Sequence, residues 1–121
     1  MKYLFFFLIS LNCFSSTIKL SNENMNANFD SDIFEAKTFQ MFSIHAIYTG
    51  SPDGVERIQF SNTQGECSTA TDWINVAGAS STITASGQNM YNFFGHSPKC
   101  VRVNYEFTSG SGTASYTIEA K

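Results

Sequence analysis

Between Val101 and Phe107 apolar and polar residues alternate without a break. Val101, Val103, Tyr105 and Phe107 share one parity, and Arg102, Asn104 and Glu106 share the other. A period of two is the repeat of a β-strand, whose successive side chains leave opposite faces. On a helix the same apolar set would scatter around the axis and could not be buried on one side. The period returns in residues 113–120, with Ala114, Tyr116, Ile118 and Ala120 in phase. It also runs through 38–49, where Phe42, Ile44, Ala46 and Tyr48 alternate with Ser43, His45 and Ile47. Phe39 and Met41 fall out of phase with Phe42, which predicts a bulge near Met41.

Shorter strand signals fill the rest. In 55–61 Ile58 and Phe60 oppose Arg57 and Gln59, and Glu56 shares the inward parity. Residues 17–20, 72–76 around Trp73, 81–85 around Ile83 and the aromatic 89–94 complete the set. Turn signals separate them: Gly50-Ser51-Pro52-Asp53-Gly54, Ala77-Gly78, Gly87-Gln88 and Ser109-Gly110-Ser111-Gly112. Proline fixes φ and glycine admits positive φ, so each cluster has a mechanism for reversing the chain. The last one predicts a closing hairpin of 100–108 with 113–120. No run of ten residues carries a 3.6 period. Turns spaced by about 8–12 residues are the spacing of a sandwich or barrel. The expected fold is all-β, a two-sheet antiparallel β-sandwich of jelly-roll or immunoglobulin-like kind with seven to eight strands.

A chain of 121 residues, 42% hydrophobic and 15% aromatic, is a single domain with enough apolar mass for a core. That composition excludes a disordered tail. Seven basic against ten acidic residues give a net charge of −3. With no basic excess, nucleic-acid binding by phosphate neutralisation is excluded.

The chain divides into residues 1–15, 16–35 and 36–121. In the first, Lys2 precedes an apolar run (Tyr3-Leu4-Phe5-Phe6-Phe7-Leu8-Ile9) too short to span a bilayer. It reads as a secretory signal, with Cys13 and Ser15 as the small residues before a cut. The competing reading makes Cys13 a lipid-attachment site, but Ser10 and Asn12 stand where such a box takes Leu and a small residue. Residues 16–35 read as an N-terminal strand and an Asn-rich arm, and 36–121 as the sandwich. Export leaves Cys67 and Cys100, which predicts one disulfide. A metal site from Cys67, Cys100 and His96 has only three ligands and no CxxC pair.

Candidate chemistry is sparse. His96 could serve Ser97 or Cys67 as a base, but no nucleophile-elbow motif accompanies it. His45 is expected on a solvent face. Glu56 and Glu106 are the only carboxylate pair worth weighing for glycoside hydrolysis, and nothing brings them together. Asp30 and Asp32, with Glu35 nearby, are the best hard-oxygen ligands for Ca²⁺, though turn formation accounts for them. Trp73, Tyr91, Phe93 and Phe94 are the candidate binding aromatics. Phe93 and Phe94 must point to opposite faces, so one of them, with Tyr91 or Met90, lies outside the core.

Several segments carry a resemblance. They are Ser43-Ile44-His45-Ala46-Ile47-Tyr48-Thr49-Gly50, Ile58-Gln59-Phe60-Ser61-Asn62, Asp72-Trp73-Ile74-Asn75-Val76, Val101-Arg102-Val103-Asn104-Tyr105 and Ser109-Gly110-Ser111-Gly112-Thr113. Together they resemble small β-sandwich domains of bacteriophage fibre and decoration proteins and related bacterial surface proteins. The chain departs from that group at Cys67, in a longer loop, and at Cys100, where the group tends to have a bulky residue. The resemblance implies a structural module with no catalytic residue and no cofactor. The expected function is a secreted interaction or assembly module, whose partner is a protein or a further copy. The alternative is a carbohydrate-binding module that stacks sugars on its aromatics, with or without Ca²⁺.

Overall fold

A computed structural model of the chain describes residues 16–95 and 98–121. Its strands are β1 Ser16–Asn24, β2 Phe29–Asp30, β3 Phe34–Glu35, β4 Met41–Ser61, β5 Ile74–Ile83, β6 Gly87–Phe94 and β7 Cys100–Ala120. One short 3-10 turn, Cys67–Thr69, lies between β4 and β5. All pairings are antiparallel. The fold is all-β, as the alternation requires. The predicted residues 1–15, His96 and Ser97 lie outside the described residues.

Two strands organise the molecule. β4 and β7 are each 21 residues long, well beyond the usual 3–10. They pair along nearly their whole length, from Phe42↔Ala120 to Ser61↔Cys100. Each contributes one half to each layer. The first half of β4 is flanked by β6, and the matching half of β7 by β1. The second half of β4 is flanked by β5, and the matching half of β7 by β2 and β3. The sheet folds over so that its halves face each other. Phe60, from one half, lies 6.1 Å from Phe42 and 5.2 Å from Phe93, both in the other. Phe29 likewise stacks on Tyr105 at 5.1 Å and reaches Tyr116 at 6.3 Å. Burial of these rings and of Ile44, Ile58, Val101, Val103 and Ile118 makes one continuous core.

The fold-over corrects the expected turns. Residues 50–54 and 109–112 do not reverse the chain, and no closing hairpin of 100–108 with 113–120 forms. Instead the two clusters lie opposite each other: Gly50↔Gly112, Ser51↔Ser111, Pro52↔Gly110 and Asp53↔Ser109. Together they form the corner at which both long strands bend. Gly50 and Gly110 adopt φ of 80° and 84°, open to glycine at little cost. A Cβ on Gly112 would stand 2.0 Å from the Thr49 carbonyl oxygen, and one on Gly110 2.2 Å from that of Ser51. The register then slips between Asp53 and Gly54. A one-residue slip exchanges faces. It lets β7 bury Val101, Val103 and Tyr105 before the corner and Ala114, Tyr116 and Ile118 after it.

Smaller corrections have similar causes. The expected bulge near Met41, by contrast, is present at the entry to β4, where the Gln40 and Met41 amides both donate to the Lys121 carbonyl at 2.8 and 3.2 Å. From there β4 stays in register with β6 from Met41↔Phe94 to Tyr48↔Gly87. Phe39 precedes the strand and reaches the core from a loop, its ring 5.6 Å from Phe34. Ala77-Gly78 lies inside β5, where the register to β4 jumps between Gln59↔Asn75 and Arg57↔Ser80. Part of the Asn-rich arm is strand, since β1 runs on to Asn24. Asn22 accepts a hydrogen bond from the Ser115 hydroxyl at 2.9 Å. Asn28 accepts one from the Phe107 amide at 2.7 Å.

Candidate functional site

The strongest polar cluster is inside the molecule. Glu56 is fully buried. Its Oε1 accepts the Tyr116 hydroxyl at 2.6 Å. Its Oε2 accepts the Tyr91 hydroxyl at 2.7 Å and a very short bond from Tyr48. Ser81 Oγ lies 3.0 Å from the Tyr91 oxygen, and the Asn89 amide donates to Tyr48 at 3.3 Å. The β4 segment after the corner supplies the carboxylate, and Tyr48, Tyr91 and Tyr116 come from the opposite layer. Burial, reinforced by the facing carboxylate, pushes the Tyr48, Tyr91 and Tyr116 hydroxyls far above the ordinary phenol range. They therefore remain donors at neutral pH. Three of the carboxylate's roughly four acceptor sites are taken by them, so the cluster ties the layers together.

The disulfide holds the rim. Cys67 and Cys100 are bonded, with Cα atoms 5.7 Å apart, as the cysteine pattern predicted. Cys67 is thus not a free thiol for a His96 base. Beside it the Lys99 amide donates to Asn62 Oδ1 at 2.9 Å. The Lys99 ammonium also donates to the Gly65 carbonyl.

The outer faces of the two layers differ in character. On the β6–β4 layer Met41 and Phe94 lie directly opposite each other, as do His45 and Met90. Met41, Ile47, Met90 and Phe94 are all exposed, Phe94 at 67%. Around them His45 Nε2 and Gln88 Oε1 are 2.7 Å apart, and the Ser43 hydroxyl donates to Asn92 at 2.7 Å. A cleft of about 120 Å³ opens beside Met41, Phe94 and Lys121.

The outer face of the β5–β4 layer is polar. The Arg102 guanidinium lies over the Trp73 ring, 4.3 Å from its centroid, and donates from Nε to Gln59 at 2.8 Å. Gln59 in turn donates to Asn75 at 2.8 Å. Arg57 pairs with Glu106 at 2.8 Å.

The candidate aromatics are thus spread over three places. Phe94 is outside with Met90. Phe93 is in the core, stacked on Phe42 at 4.9 Å, and Tyr91 turns inward to Glu56. Trp73 is half-buried on the opposite layer, with its indole N–H donating to the Ala70 carbonyl at 3.0 Å. Asp30 and Asp32 are exposed. Asp30 accepts from Asn104 at 2.8 Å and pairs with Arg102 at 3.3 Å, so a Ca²⁺ ion would compete with Arg102 for that carboxylate. Among the described residues no three His, Cys, Asp or Glu side chains group to hold a metal. Glu56 points inward as its parity predicts, whereas Glu106 lies on an outer face. The tyrosine partners of Glu56 escaped the sequence reading: its only signal was the inward parity at positions 48, 91 and 116.

The topology and its unshared outer faces define an all-β sandwich domain. No known sequence family matches this chain, and no curated protein does. Among solved structures it is similar to the SPBc2 prophage-derived protein YomS, with a TM-score of 0.56 and 13% identity over 87% of this chain and 92% of that one. It is similar also to PirA, with a TM-score of 0.51 and 12% identity over 89% of this chain and 94% of that one. At such identities the likeness is one of fold. A prophage-derived protein shares this sandwich, in keeping with the phage-type resemblance of the strand motifs. Among the described residues no helix is long and apolar enough to cross a membrane.

Proposed function

We propose that this chain is an exported, non-catalytic interaction module that engages a protein partner through the outer face of its β6–β4 layer. One observation carries this reading: Met41, Ile47, Met90 and Phe94 share that face and are all exposed. Isolated apolar residues on a surface need no explanation, but a cluster on one sheet face marks a contact surface. The non-catalytic part is supported by how the polar groups are spent. The buried carboxylate serves three phenols, His45 pairs with Gln88, and Cys67 is oxidised. Export is supported by the disulfide, which persists in oxidising compartments.

The test is capture from the host's envelope and medium with the wild-type chain and with a Phe94→Asp, Ile47→Asp double variant. Both positions are exposed, so the variant keeps its unfolding midpoint and loses the captured partner. Equal capture by the two proteins would refute this face.

The polar face favours a second reading, glycan binding on Trp73 and the Gln59–Asn75 amide row. Aromatic rings and planar amides suit sugar faces and hydroxyls. Here Trp73→Ala abolishes signals on a glycan array while Phe94→Asp leaves them intact.

A further inference from the structure

The sandwich has two open sides, and they are built differently. On one side the layers end in β1 and in β2 with β3, which carry Lys19, Glu23, Asp30 and Glu35. On the other they end in β5 and β6. No Asp, Glu, Lys or Arg occurs anywhere in residues 73–98, and neither β5 nor β6 contains proline. Charges, prolines and bulges are the usual guards of a free strand edge. β5 keeps one guard, its bulge at Gly78. β6 has none: its eight residues pair with β4 without a slip. Between the two edges runs a groove of about 320 Å³, lined by Val76 and Ala79 on one side and Met90 and Phe93 on the other. Met90, 57% exposed, stands beside it.

We propose that a second copy of this chain pairs along this side, β6 against β6 and antiparallel, about a two-fold axis. This goes beyond the interaction-module reading, since it uses the open side of the sandwich and not the Phe94 face. The β6–β4 sheet then continues across the interface, and the grooves of the two copies face each other beside the axis. Charge selects this occupant. A head-to-tail contact would set Lys19 and Glu23 of β1 against an edge with no charge to answer them. The like-with-like contact strands none, and a two-fold makes it closed. The interface has the charge-poor centre typical of protein contacts. Eight residues give an edge of about 27 Å, and two layers with their side chains stand about 20 Å tall. That flat footprint, on the order of 500 Å², becomes a larger accessible area once side-chain relief is included. It approaches the roughly 800 Å² per partner of a standard interface, at its weaker end.

The experiment is sedimentation equilibrium of the purified full chain across the micromolar range. The mass is expected to rise from one chain to two and to stop there. Asn92 is exposed on β6 and accepts a bond from Ser43, which an aspartate would still accept. Asn92→Asp therefore keeps the fold, brings two carboxylates near the axis, and weakens association at least tenfold. Met90→Lys, at the middle of β6, sets two ammonium groups beside the axis and does the same, and Asn24→Asp, exposed on β1, changes nothing. Amides of β6 gain hydrogen-exchange protection with concentration in the wild type alone. A single-chain mass at every concentration overturns self-pairing, while capture through Phe94 still decides the interaction-module reading separately. An open series of higher masses overturns the closed two-fold. A dimer indifferent to both β6 variants overturns this edge.

Discussion

Glu56 is the residue on which the interior turns. A carboxylate in an apolar core is costly unless its oxygens are fully hydrogen-bonded. Here each oxygen accepts from a phenol, and each of the three phenols would lose a hydrogen bond without it. Glu56→Gln replaces an acceptor by an amide whose NH₂ faces tyrosine donors. We expect it to cost about 2–3 kcal/mol, the range for a charge-assisted bond lost with its partners left buried. Tyr116→Phe removes one donor and costs about 1–2 kcal/mol. Phe94→Ser, on the surface, stays within about 0.5 kcal/mol. Urea unfolding midpoints measure all three. The inward direction of Glu56 was legible from its parity with Ile58 and Phe60. Its partners were not, because Tyr48, Tyr91 and Tyr116 meet it across the fold rather than along the chain. Phe93 and Phe94 behaved in the same way: opposite faces followed from the pleat, but which ring faced the core depended on Phe42 and Phe60.

At the scale of strands, β4 and β7 show why local turn chemistry misleads. Gly50-Ser51-Pro52-Asp53-Gly54 and Ser109-Gly110-Ser111-Gly112 carry every mark of a reversal, since bending a strand and reversing it both call for positive φ and close backbones. Only the long-range pairing of the two clusters tells a corner from two hairpins, and no local window contains that information. The alternation either side of each cluster was read correctly, so the inward residues were right even where the connection was wrong. The glycines at the corner are held by distance rather than by propensity. Gly112→Ala sets a methyl 2.0 Å from the Thr49 oxygen, and Gly110→Ala adds a left-handed φ to a similar clash. Each should lower stability by more than about 2 kcal/mol. Gly78→Ala meets no atom within 4 Å and carries only the strain of its φ of 77°, about 1 kcal/mol. Thermal unfolding of the three variants should rank them in that order. Equal losses at positions 78 and 112 would mean that the strands do not approach there as described.

For the molecule as a whole, the tyrosine cluster couples the joining of the layers to proton uptake. Tyr48 and Tyr116 are buried, and their hydroxyl pKa values are raised by that burial and by the Glu56 charge beside them. An acid whose folded pKa lies above its unfolded value binds its proton more tightly when folded. Its stabilising effect is complete below the unfolded pKa, about 10 for a phenol. It is lost as pH climbs above that value, because the unfolded chain releases protons that the folded one retains. Linkage gives about 1.4 kcal/mol per pH unit for each such tyrosine. Tyr48 and Tyr116 alone should therefore remove roughly 2.7 kcal/mol for each unit above pH 10, and Tyr91, raised in the same direction, adds to that slope. With a single domain of this size marginally stable by about 5–15 kcal/mol, cooperative unfolding should begin within a few units of pH 10. It should be accompanied by phenolate absorbance that appears with the transition and not before it. Replacing Tyr116 by Phe lowers that slope by about 1.4 kcal/mol per unit while lowering stability at neutral pH, a combination that a merely weaker core would not produce. Tyrosinate absorbance developing well ahead of the loss of β-sheet signal would show that the phenols titrate in the folded state, and that the two layers are not tied at Glu56.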